Sequence, residues 1–102
     1  MAKVAWVVDP TDNVATILGP EVEAGSKIAV EIDGVEVEVP VNNKIIYGHK
    51  IAIKPIAKGE TILKYGLSLG KATEDIKVGD HVHLNNIESN RGRGDLSKKE
   101  AE

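Results

Sequence analysis

KIAVEIDGVEVEV, residues 27–39, alternates apolar and polar side chains on both sides of Asp33-Gly34. A period of two is the signature of a strand with one buried face, because successive side chains point to opposite sides. Asp-Gly suits the two positive φ angles of a type I′ turn, whose twist matches that of paired strands. Residues 27–32 and 35–39 are therefore predicted to form a two-residue β-hairpin. Working outward, short strands are expected at residues 4–8, 14–18, 44–47, 50–53, 61–64 and 81–84. The breaks between them fall at Asp9-Pro10, Gly19-Pro20, Pro40, Asn42-Asn43, Pro55, Gly66 and Gly70. Most intervening segments are too short for a helix, although residues 68–77 have room for one or two helical turns. The expectation is an all-β chain, mainly β with short helical turns, folded as a compact barrel or clip.

A recurrence supports the strand reading. Val22-Glu23-Ala24-Gly25-Ser26, Ile56-Ala57-Lys58-Gly59-Glu60 and Ile76-Lys77-Val78-Gly79-Asp80 share one form: a β-branched residue, two fillers, glycine, then a polar residue. Each leads into an apolar-alternating segment. A buried anchor, a turn that needs glycine, and a new strand account for the pattern. The repeats start 34 and 20 residues apart, so this is one turn device reused and not a solenoid.

Composition bounds the function. A chain of 102 residues makes one modest domain. With one Trp, two Tyr and no Phe, its core must come from Val, Ile, Leu and Ala. A formal net charge of −3 offers no general attraction for nucleic acid or acidic membranes. The absence of cysteine excludes disulfides, thiolate metal sites and cysteine nucleophiles. No apolar run nears the ~20 residues of a membrane span, and no signal-peptide pattern opens the chain; a cytoplasmic location is expected. Residues 1–88 read as the folded domain. Residues 89–102 turn to charge and glycine and read as a flexible tail.

Candidate chemistry gathers on the three histidines. In a strand, His81 and His83 share a face about 6–7 Å apart, and Asn85 continues it, followed by Asn86. Two imidazoles so placed can share a metal or grip a carboxylate or hydroxyl. A transition-metal site needs a third ligand, and none adjoins in sequence, so no metal ligand is assigned within the chain. A half-exposed strand that tolerates polar residues would read the same way. Tyr47-Gly48-His49-Lys50 sets a histidine and a lysine at a strand start behind glycine, where a base or anion ligand can stand; a plain β-bulge is the alternative. Lys64-Tyr65-Gly66 reads as a strand end closed by a turn. Arg91 and Arg93, in Arg91-Gly92-Arg93-Gly94-Asp95, suit carboxylate binding or partner docking, with a disordered tail as the alternative. Phosphate loops, dinucleotide fingerprints and nucleophile elbows are missing.

Taken in order, these motifs resemble the N-terminal module of altronate and galactarate dehydratases. The resemblance rests on Asp12-Asn13-Val14-Ala15-Thr16, Tyr47-Gly48-His49-Lys50-Ile51-Ala52-Ile53, Ile56 to Glu60, Lys64-Tyr65-Gly66, Gly70, Ala72-Thr73, Asp75-Ile76 and Gly79-Asp80-His81-Val82-His83. It covers residues 4–88. It implies a SAF-type β-clip fold and loss of water from a polyhydroxy carboxylate to give a 2-keto-3-deoxy acid. It further implies a divalent metal, iron or manganese, bound mainly by a larger catalytic partner. The chain resembles the split layout, in which a small subunit, inactive alone, pairs with a large dehydratase subunit. Sulfolactate sulfo-lyase, which expels sulfite, shares that layout and gives the alternative reading; a non-catalytic binding module for sugar acids or proteins is another. Carried over by position, His49 and His83 become the candidate catalytic residues, and Lys50, His81, Asn85 and Asn86 the candidate substrate contacts. The family run usually carries a third histidine where Asn85 stands. Asparagine ligates transition metals poorly, which favours substrate contact there.

Overall fold

The computed structural model describes residues 3–89. It holds nine strands and, among the described residues, no helix: β1 (Lys3–Val7), β2 (Val14–Thr16), β3 (Lys27–Ile32), β4 (Val35–Pro40), β5 (Lys50–Ala52), β6 (Thr61–Lys64), β7 (Leu67–Ala72), β8 (His81–Val82) and β9 (Ile87–Ser89). The all-β, SAF-type expectation is met. Three small sheets form, in the orders β1-β3-β4, β2-β5-β8 and β6-β7-β9. The decisive hairpin pairs Ile32 with Val35, and Asp33 and Gly34 take φ of 50° and 83°, the type I′ turn its sequence demanded.

The β2-β5-β8 sheet is a wall shared by two cores. Ala15 opposite Ile51 faces one side and Val14 opposite Ala52 the other. The first pair packs with Ala5, Val7, Ile28 and Val30 of the β1-β3-β4 sheet. The second packs with Ile62 and Ala72 of the β6-β7-β9 sheet, joined by Val82. A strand buried on both faces must be apolar throughout, which is why Lys50-Ile51-Ala52 carries its polar residue only at the end. Each fully buried isoleucine of these cores contributes about 1.5–3 kcal/mol.

Three local expectations are corrected. Residues 68–77 hold no helical turn: Leu67–Ala72 is strand β7, paired antiparallel with β6 and with β9. Tyr65 and Gly66, at φ of 56° and 73°, close the β6-β7 hairpin and carry the chain straight into that strand. Residues 44–47 form no strand: Ile45 makes an isolated bridge to Val22, and Ile46 to His49 is a turn. The third residue of that turn, Gly48, thus belongs to a tight turn and to no bulge.

That segment is a fourth copy of the recurrent device. In all four copies the residue after glycine donates its N–H three residues back, to Glu23, Ile46, Ala57 and Lys77. The glycines lie at φ between 86° and 95°, the third position of a type II turn. The anchors pair across the molecule: Val22 bridges Ile45 in one core, and Ile56 bridges Ile76 in the other.

Two motif pieces distant in sequence dock on each other. The Asp12 carboxylate, fully buried, accepts the N–H groups of Tyr65 and Gly66 at 2.7 and 2.8 Å. Asn13 accepts the N–H of Leu63 and donates to the Thr61 carbonyl. Asp12-Asn13 is therefore the clamp of the Lys64-Tyr65-Gly66 hairpin, a structural role. No helix of the described residues is long and apolar enough to cross a membrane.

Candidate functional site: a three-imidazole cluster beside a polar cleft

The site is built by the register of β5 against β8. Lys50 pairs with Val82 and Ile51 with His81. One step further along this antiparallel ladder, His49 stands opposite His83, with side chains on one face. The His49 and His83 rings stack with centroids 3.9 Å apart and an interplanar angle of 10°. His81, two residues before His83, lies on the same face, and its Nε2 is 2.9 Å from His49 Nδ1. One of these two nitrogens carries the proton and the other accepts it. All three rings are half-buried and near-parallel.

His49 owes its freedom to a break in the turn pattern. In the other three copies the side chain after glycine closes its own turn. Ser26 Oγ donates to the Glu23 carbonyl, Glu60 accepts from Ala57 N–H, and Asp80 accepts from Lys77 N–H. In the fourth copy that slot holds an imidazole, which leaves the turn and reaches His81 instead. A local contact that the other three copies make is given up at this position, a break of the kind that marks candidate functional residues.

Amides hold the histidine loop in place. Asn86, 4% exposed, accepts the His83 N–H at 3.0 Å and donates to the His81 carbonyl at 2.7 Å. Its side chain is thereby engaged within the loop, and the residue also borders the neighbouring cleft. Strand β8 ends at Val82 because this bonding folds residues 83–86 into a turn. Asn43, which the sequence marked only as a break, accepts the His81 N–H at 2.9 Å. No short-range pattern could have revealed that contact, 38 residues away.

Electrostatics favour the neutral forms of His81 and His83. His81 is held below its ordinary value of 6.5 first by desolvation, then by the neighbouring His49 and His83. His83 is lowered first by desolvation, then by His49 and the Lys50 ammonium. Lys50 follows His49 and stands near enough for its charge to act on His83, without joining the stack. Asn85 is exposed and lines a cleft of about 330 Å³ together with Asn43, Glu74, Asp80, His81 and Asn86. Arg91 and Arg93 lie outside the described residues.

The fold also supplies the third imidazole that the sequence neighbourhood of His81 and His83 lacked. Ligand nitrogens of His49, His81 and His83 all lie within 4.8 Å of one another. A shared ion with metal–nitrogen bonds of about 2.0–2.1 Å holds its ligand nitrogens no more than about 4.2 Å apart.

With this geometry in place, comparison with known proteins is informative. The model of the altronate/galactarate dehydratase SAF domain matches residues 3–90. The alpha subunit of (2R)-sulfolactate sulfo-lyase from Chromohalobacter salexigens is 33% identical over 87 residues, covering 83% of this chain and 93% of that subunit. Altronate dehydratases from Bacillus subtilis and Escherichia coli are 37% and 39% identical over 79 residues, 78% of this chain. The matched region makes up only 15% of either dehydratase. The chain belongs to the altronate/galactarate dehydratase SAF domain family.

Proposed function

We propose that the chain is the small subunit of a hydroxy-acid lyase of the altronate dehydratase type, contributing substrate-facing histidines to a larger catalytic partner. The observation that carries this reading is the convergence of His49, His81 and His83 from two segments into one half-buried stack. It is supported by relatives that are lyases, among them a sulfo-lyase alpha subunit that the match covers to 93%. Elimination from a 2,3-dihydroxy acid removes the C2 proton and breaks the C3–O bond, and water departs. The enol left behind then tautomerises to the 2-keto-3-deoxy acid. A neutral imidazole is a competent acceptor for the C2 proton, and His83 is kept neutral by its surroundings. His49 stands against it and relays to His81 through their shared hydrogen bond. Lys50 at the flank offers a cation to the substrate carboxylate. The divalent metal, iron or manganese, belongs mainly to the partner, where it would stabilise the charge that develops on the carboxylate side.

Exposed apolar residues ring the cluster and support a partner. Tyr47, in the His49 turn, is 66% exposed, and Leu84, beside His83, is 77% exposed. The test is complementation. The purified chain alone turns over no sugar acid, the large subunit alone is inactive, and mixing restores lyase activity. Full turnover by either component alone would remove the proposal.

A second reading takes the same three nitrogens as metal ligands. Equilibrium dialysis of the isolated chain against iron, manganese and zinc separates the two. Stoichiometric binding abolished by His49→Ala favours ligation, and no retention favours the substrate-facing role.

A further inference from the structure

The cleft beside His81 has a composition that the reaction itself does not require. Asn43, Glu74, Asp80 and Asn85 line it, and His81 forms its border with the imidazole stack. Two of these groups are already engaged: Asp80 bonds Asn42 and Lys77 N–H, and Asn43 uses its oxygen on His81 N–H. Glu74 and Asn85, both exposed, have no hydrogen-bonding partner among the described residues. The volume of about 330 Å³ lies at the small end of small-molecule sites.

We infer that this cleft binds the hydroxylated tail of a polyhydroxy monocarboxylate whose reacting end sits at the histidines; the inference rests on the lyase reading of the same site. Each hydroxyl both donates and accepts, and the cleft supplies carboxylate acceptors together with carboxamides able to do either. A run of neutral hydroxyls can satisfy all of them. A second anionic group cannot, because it would meet Glu74 and Asp80 at close range with no cation among the lining residues. The site thus selects aldonates over aldarates, and over a three-carbon acid that carries a sulfonate. The reactive end and the tail are distinguished by charge, with Lys50 and the imidazoles at one end and carboxylates at the other.

The experiment uses the chain assembled with its large subunit and compares kcat/KM for a six-carbon aldonate, the matching aldarate and sulfolactate. The aldonate is expected to be preferred. Glu74→Gln and Asn85→Ala should each lower the aldonate-to-sulfolactate ratio by about tenfold, the loss of one good hydrogen bond to a charged or polar partner. Glu74→Gln should also narrow the gap between aldonate and aldarate. Preference for the aldarate or sulfolactate, or ratios untouched by both variants, would overturn the inference. If the assembly eliminates nothing, the lyase reading falls first, and titration calorimetry of the aldonate into the full chain then decides the cleft. Binding weakened by Glu74→Gln supports it, and no binding at millimolar aldonate refutes it.

Discussion

At the scale of single residues, the proposed function divides the site into groups that react and groups that hold. His83 is kept neutral by burial and by positive neighbours, so its base form persists below pH 6.5, the ordinary imidazole value. The acid limb of kcat/KM should therefore fall at a pH lower than 6.5, tenfold per unit once reached, because protonation removes the base. His83→Ala should cost about 10²–10⁴ in rate and abolish that limb, which a pH–rate series on the assembled enzyme would read. A limb unchanged in the variant would remove His83 from proton transfer. Asn86 acts differently. Its amide joins the His81 carbonyl to the His83 N–H from a buried position, so Asn86→Ala leaves two backbone groups unpaired. A loss of about 1–3 kcal/mol in stability is expected by denaturant titration, with Asn86→Asp less harmful because its oxygen can still accept from His83. Equal losses in both variants would mean that the donation to the His81 carbonyl, which both lack, carries the whole effect.

At the scale of elements, the β-hairpin at Asp33-Gly34 was legible because both halves of the signal are local: a two-residue period and a turn dipeptide. The turn device was legible for the same reason in three of four copies. The fourth, at Ile45 to His49, hid behind two apolar fillers that mimic a strand, Ile46 and Tyr47. Strands β7 and β9 were missed because Gly70 interrupts the pattern and β9 has only three residues. What local pattern cannot give is register between segments far apart. His49 meets His81 across 32 residues, and Asp12 meets Tyr65 across 53. The turns are also unequal in what surrounds them. A Cβ on Gly25 would meet nothing within 4 Å, whereas one on Gly79 would collide with the Pro40 backbone carbonyl. Gly25→Ala should therefore cost about 1–2 kcal/mol, the penalty of positive φ alone. Gly79→Ala should cost clearly more, since backbone must move, and it should disturb the adjoining His81. Thermal melts of the two variants, with equal shifts as the contrary result, test this.

At the scale of the whole molecule, the two cores share the β2-β5-β8 wall, and the clustered histidines emerge where that wall runs out. His49 is one residue beyond the β5 end and His83 one beyond the β8 end. A sheet end is stiffened by both cores yet open at its edge, which suits a site completed by another surface. The apolar residues exposed around it, Tyr47 and Leu84 with Ile46 at 45%, belong to the same two turns that carry the histidines. A lone exposed leucine means little, but three flanking one polar cluster mark a surface that a partner would dry. Tyr47→Glu and Leu84→Asp should then weaken assembly with the large subunit by tenfold or more each, as ~1.4 kcal/mol per decade implies, while leaving the melting of the chain by itself nearly unchanged because neither side chain is in a core. Activity should return at high subunit concentration, since the histidines are intact. If both variants assemble and turn over like the wild type, the partner docks elsewhere. The imidazoles would then have to work at an edge open to water.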